Sequence, residues 1–212
     1  MVTFYESVFN WEEYLKFGTR QFVKRKGFIY KQGTCGDGFY FLHKGLVRIV
    51  TATVTGKERM LNIVVPNQLL GVQALDQRTH FTTAIAVKDS VVYHFSCEEF
   101  KKLITIHPEL FKQFSRTVIH KMRILLDGIN LNALTSEQKI ALLLQNICDE
   151  FKNYEVPLYQ QDLASCTGLT RITVYKVLKK WQAAGIIEIK NRKYYIKKPD
   201  FLKNLVQQNI YS

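Results

Sequence analysis

Between Leu158 and Lys180 the chain reads LYQQDLASCTGLTRITVYKVLKK, and from Thr170 onward this stretch carries Arg171, Lys176, Lys179 and Lys180 with no carboxylate among them. Side chains three and four apart share a face of a helix. That spacing sets Leu163, Ala164, Leu169, Val174, Val177 and Leu178 on an inner side and turns Thr170, Arg171, Thr173, Tyr175, Lys176 and Lys179 outward. Arginine can give two hydrogen bonds to a guanine edge, and lysine neutralises phosphate. The chemistry on offer is therefore recognition of a polyanion with readable edges.

To present those groups the backbone must form two short helices around a corner. The spacing predicts a first helix over 160–166, a break at Thr167-Gly168-Leu169 and a second helix opened by Thr170. The Thr170 hydroxyl can cap that helix, and Gly168 tolerates the left-handed backbone of a tight corner. The expectation is a helix-turn-helix whose second helix enters a major groove. After it, IIEIKNRKYYIKK alternates as a hairpin tipped by Lys190-Asn191-Arg192-Lys193, a basic wing. Arg192 and Lys193 at its tip would either touch backbone phosphate or form a solvated turn.

Charge supports a polyanionic partner. The 212 residues carry a net charge of +12, and from Gly168 to the end ten Lys and Arg face two acids, Glu188 and Asp200. Charge alone does not separate DNA from RNA or an acidic membrane surface. Catalysis has little to stand on: there is no Ser/His/Asp order, no metal ligand set and no phosphate-cradling glycine loop, and Glu98 and Glu99 read as helix capping. The expectation is a non-enzyme. Cys35, Cys97, Cys148 and Cys166 lack C-x-x-C or Cys/His spacing, which points to reduced thiols rather than zinc, an iron–sulfur cluster or disulfides. The opening MVTFYESVFNWEEYLKF has acids within its apolar pattern and no basic region, unlike a signal peptide, and no apolar run is long enough to span a membrane. A soluble, cytoplasmic protein is expected.

Hydrophobic content of 47% over this length is enough for two modest cores. Residues 4–17 suggest a short helix or two. From about Phe22 to Phe95, runs such as FIYK, FYFLHKG, LVRIVTATV, RMLNIVVP, TTAIAVK and SVVYHF alternate with glycines, which reads as a compact barrel or roll, with Val54-Thr55-Gly56-Lys57 as a hairpin turn. Ser96 with Glu99 and Thr135 with Gln138 are capping boxes, each opening a helix. A longer helix follows Pro108, and Phe111, Val118, Met122, Leu125 and Ile129 step along it in a heptad-like pattern. That stripe is either an ordinary packed face or a seam against a second copy, and the seam is the expectation. Asn153 to Pro157 reads as a connection. The fold class is α+β, divided as an N-terminal double-stranded, cupin-like β-roll (1–106), a long dimerisation helix (107–133) and a C-terminal winged helix-turn-helix (134–212).

With those elements in that order, the chain resembles the Crp/Fnr family of bacterial transcription regulators along essentially its whole length. The roll matches through Gly33, Gly45, Gly56 and the segment Pro66-Asn67-Gln68-Leu69-Leu70-Gly71; the more specific match is Gln161-Asp162-Leu163-Ala164 followed by Gly168 to Leu178. The resemblance implies a homodimer bound to a palindromic site in double-stranded DNA, RNA polymerase as a further partner, and activation among its roles. It also implies a cyclic-nucleotide-binding-like roll, but Val72 stands where cyclic-AMP-binding members carry a glutamate, and Thr82-Thr83 where they carry Arg-Ser. A buried phosphate without a cation lacks the charge-assisted bonds that offset its desolvation. Cyclic AMP, haem and iron–sulfur clusters are therefore not expected, His80 being read as a solvated loop histidine. An unknown small-molecule effector would lie against Val72, Gln73, Thr82, Thr83, Phe114 and Val118. The alternative is an effector-independent regulator with a degenerate roll, constitutive or controlled by a protein partner. In the recognition helix Arg171 keeps the guanine-reading position, whereas Ile172 replaces the usual glutamate and suits a thymine methyl, so A·T-rich half-sites about one helical turn apart are expected. Tyr159 replaces the usual Ser/Thr cap of the first helix.

Overall fold

Strand pairing in the first half follows from alternation. In the computed structural model, which describes residues 11–52, 58–130, 134–151, 154–156, 158–191 and 193–207, eight strands form two four-stranded antiparallel sheets. They are β1 (Thr19–Val23), β2 (Phe28–Tyr30), β3 (Phe39–Lys44), β4 (Val47–Ala52), β5 (Glu58–Val64), β6 (Gln68–Leu70), β7 (Thr83–Ala86) and β8 (Ser90–Phe95). One sheet runs β1-β8-β3-β6 and the other β2-β7-β4-β5. Successive residues of a strand point to opposite faces, and β3 and β6 show the consequence. Leu42 and Leu70 join Tyr30, Val47, Val64, Ala84 and Val92 in a core drawn from both sheets. Their neighbours Phe41 and Leu69 turn the other way, into an aromatic cluster with Phe39 and Phe95 that helices cover.

Those helices are a 3-10 helix (Trp11–Phe17), α1 (Cys97–Ile106) and α2 (Glu109–Asn130). Trp11, Tyr14, Phe100, Leu103, Leu110 and Phe114 supply their share of the cluster. The Ser96 capping box is present: Ser96 Oγ accepts from Glu99 N at 3.1 Å, and Glu99 Oε2 accepts from Ser96 N at 2.8 Å. The roll is thus as the sequence indicates, but two strands escaped it. β1 and β6 are short, and what makes them strands is pairing with β8 and β3. The proposed turn at Val54–Lys57 lies outside the described residues.

The chain divides into two units, 1–126 and 127–212. The second contains α3 (Ser136–Phe151), β9 (Glu155–Val156), α4 (Gln160–Thr167), α5 (Arg171–Ala183), β10 (Ile187–Lys190), β11 (Lys193–Ile196) and α6 (Pro199–Gln207). Thr135 and Gln138 form the second capping box, with Gln138 Oε1 accepting from Thr135 N at 2.9 Å and Thr135 Oγ1 accepting from Gln138 N at 3.3 Å. The segment read as a bare connection holds β9, the third strand of a sheet ordered β10-β11-β9. A two-residue strand has no sequence pattern of its own.

Candidate nucleic-acid interface

The corner between α4 and α5 is built as the residue types require. Gly168 ends α4 at φ 68°, in the left-handed region, and Thr170 Oγ1 accepts from Thr173 N at 3.1 Å to open α5. Leu163, Ala164, Val174, Val177, Leu178 and Trp181 are buried inside the corner. At the start of α4, Tyr159 gives no side-chain cap; Asp162 reaches back instead, its Oδ2 accepting from Tyr159 N at 3.0 Å. That aspartate is buried, and it also faces Tyr194, whose hydroxyl is pushed up to about 12 by burial and then by the Asp162 charge.

This inner packing leaves Thr170, Arg171, Ile172, Tyr175, Lys176 and Lys179 exposed and Thr173 half-buried. Among the described residues no carboxylate pairs with Arg171, Lys176 or Lys179; the Lys179 ammonium lies 5.7 Å from the Tyr175 ring centroid. The wing differs. Glu188 holds Lys190 at 2.7 Å and Lys197 at 3.0 Å, and Lys193 is bound to Glu155. Lys180, on the flank of α5, meets Glu137 of α3 at 2.6 Å. Among the described residues, α5 thus presents Arg171, Lys176 and Lys179 without a carboxylate partner, whereas Lys190, Lys193 and Lys197 of the wing each have one; Arg192 lies outside the described residues.

In the first unit, the residues assigned to an effector do not form one site. Val72, Phe114 and Val118 belong to the helix-covered aromatic cluster. Thr83 Oγ1 accepts from Gln32 N at 3.0 Å. Gln73 and Thr82 instead join Tyr30 and His80 in a polar cluster. Gln73 Nε2 donates to Thr82 Oγ1 at 3.0 Å and lies 3.4 Å from His80 Nδ1, and Tyr30 Oη is 3.4 Å from Thr82 Oγ1. His80 is not a solvated loop residue. It is 4% exposed and stacks on Tyr30 with centroids 4.1 Å apart. Burial, and then the nearby His94, hold its pKa below the usual histidine value. A Cβ on Gly36 would meet Ala74 Cβ at 2.3 Å and His80 Nε2 at 2.7 Å, so only glycine lets the loop close over the ring.

The long helix also departs from its heptad reading. Leu110 and Phe114 are buried and Val118 packs with them, while Phe111, Ile119 and Met122 are exposed. Val118 sits on the shoulder between two apolar stripes, and the heptad template assigned it to the open one; Ile119 takes that place. The side chains of Leu125 and Ile129 lie outside the described residues.

Two family models match this sequence: the cyclic nucleotide-binding domain over residues 20–107 and the Crp-like helix-turn-helix domain over residues 138–205. The chain belongs to the Crp/Fnr family of transcriptional regulators. It is 22% identical over 188 residues to the transcriptional activator protein Anr of Pseudomonas protegens, covering 84% of this chain and 76% of Anr. With the transcriptional activator protein FnrA of Stutzerimonas stutzeri it shares 23% identity over 185 residues, 82% of this chain and 75% of FnrA. Its fold is that of FixK2 from Bradyrhizobium japonicum, with a TM-score of 0.77 at 19% identity over 89% of this chain and 96% of FixK2. A CooA variant from Carboxydothermus hydrogenoformans matches with a TM-score of 0.70 at 20% identity, over 92% and 90% of the two chains.

As a Crp/Fnr regulator the chain carries a DNA-binding helix-turn-helix, and the surface just described on α5 is its exposed cationic face. The roll has the family's architecture but not a cradle for a cyclic phosphate. Around Thr82 stand a tyrosine, a glutamine and a histidine whose pKa burial lowers, already bonded to one another. These residues do not fit a buried anion, which needs a cation or several free donors. Sequence reasoning missed Tyr30 and His80 as members of this cluster. The signal available was Gly36, but its partner Ala74 is far along the chain.

Proposed function

We propose that this regulator acts in the cytoplasm as a homodimer that reads a two-fold symmetric duplex site, inserting α5 of each copy into a major groove. The carrying observation is the stripe Arg171, Ile172, Tyr175, Lys176 and Lys179, exposed and without carboxylate partners among the described residues. Thr170 and Thr173 fix the start of that helix, and Lys193 and Arg192 at the wing would meet backbone phosphate, Lys193 after exchanging Glu155 for it. Lys193 is exposed and Glu155 partly so, and ion pairs open to solvent are worth little, so the exchange costs little. The open apolar stripe Phe111, Ile119 and Met122 supports pairing of α2 with its own copy, Leu125 and Ile129 continuing the same helix. Activator names among the relatives support an activating role, for which RNA polymerase is the proposed partner.

We assign control of DNA binding to the roll, through an effector other than cyclic AMP, which acts by binding one state better than the other. A second reading, an effector-independent roll serving as scaffold, is favoured by the polar cluster, where Gln73, Thr82, Tyr30 and His80 satisfy one another.

Selection of duplexes from a random pool by the full chain tests the central assignment. Recovery of a palindrome bound by two chains is expected; a protein that retains every sequence equally overturns it. Repeating the binding with a metabolite extract separates the two readings, since a changed affinity supports the effector and an unchanged one the scaffold.

A further inference from the structure

The first turn of α5 presents an apolar side chain on a surface made for polar contacts. Ile172 is 69% exposed, while the apolar residues that hold the helix down, Val174, Val177, Leu178 and Trp181, lie on its other side. Ile172 therefore contributes nothing to the core. Leaving such a side chain in water is unfavourable relative to burying it. It gains that contact only when something covers it.

The neighbouring groups narrow what that something is. The Thr170 and Thr173 hydroxyls are 2.9 Å apart and Thr170 Oγ1 also accepts from Thr173 N, so both are engaged in the cap. Arg171, Lys176 and Lys179 are donors only. No Asp, Glu, Asn or Gln lies between Thr170 and Trp181. The stripe thus has no carboxylate to accept from cytosine N4 and no amide to pair with adenine N6 and N7. What remains legible to its arginine and lysines in a major groove is the acceptors of guanine, the N7 of adenine and the O4 of thymine, and its isoleucine meets the one apolar feature a base pair displays there, the thymine C5-methyl group.

We infer that Ile172 is a specificity-determining residue that recognises a thymine in each half-site by packing against its C5-methyl group, beside a guanine edge met by Arg171. Tyr175 lies one turn further along the same face and extends the apolar surface, with the Lys179 ammonium near its ring directed to phosphate. The inference rests on the DNA-reading role proposed above.

Thymine and uracil differ only in that methyl group, which makes the test a single-group deletion. Each thymine of the selected half-site is replaced in turn by deoxyuridine, and full-length protein is titrated on each duplex at fixed salt. One position is expected to lose about fourfold in affinity per half-site, the effect of one buried methyl. The Ile172→Ala variant is expected to bind the thymine and uracil duplexes alike, and selection with Ile172→Glu to replace that thymine by cytosine, whose N4 a carboxylate accepts from. Uracil tolerated at every position, or an Ile172→Ala variant that still discriminates, overturns the inference while leaving the DNA-reading role standing. Failure to select any sequence overturns that role, and the inference with it.

Discussion

Arg171, Lys176 and Lys179 share the exposed face of α5, and no described carboxylate competes for them. Their proposed roles differ in what they would touch. Lys179→Ala, if that lysine meets phosphate as proposed, should weaken selected and random duplexes alike and lower the slope of log affinity against log salt by about 1. A loss confined to the selected duplex would contradict that. His80 was not legible, since burial of a loop histidine depends on Tyr30 and Gly36, both distant in sequence, as well as on the nearer Ala74. Its depressed pKa has a signed consequence. Once pH falls below the ordinary value of 6.5, an unfolded chain takes up a proton that the folded one refuses. Stability is therefore full above that pH and declines as pH drops toward the folded-state value. Protonation would also aim an N–H at the Gln73 amide, and His94 and Tyr30 are the titratable groups beside it. Thermal melting across this range should show a shallower acid decline for His80→Gln than for the parent; equal slopes would remove His80 from the account.

Elements with a local signature were foreseen to within a residue or two: both capping boxes, the Gly168 corner, the Thr170 cap and the wing hairpin. Elements defined by their partners were not. β1, β6 and β9 are strands because β8, β3 and β11 pair with them, and α6 emerges from its packing on α3, where Gln138 Nε2 donates to Leu205 O at 3.1 Å. The long helix shows the same limit within one element. Its pattern carries two apolar stripes, and only contact with the roll tells Val118 from Ile119. Ile119→Arg should accordingly give a folded monomer by light scattering with weakened binding to a palindrome. An unchanged dimer would move the self-association surface off this stripe.

At the level of the molecule, a roll of family architecture with a self-satisfied polar cluster is joined to a DNA-binding unit. If the cluster has no place for a cyclic phosphate, a large excess of cyclic AMP leaves the melting temperature unchanged, whereas a specific ligand at a hundred times its Kd stabilises by about 2.7 kcal/mol. A clear upward shift with cyclic AMP would show that the cluster rearranges. The most direct test of the central claim is the ratio of affinities for the selected palindrome and a scrambled duplex, measured at one salt concentration for the parent and Arg171→Ala. The ratio should fall by the equivalent of about 1–3 kcal/mol while affinity for the scrambled duplex barely changes. Equal losses on both duplexes would contradict a base-reading role for α5.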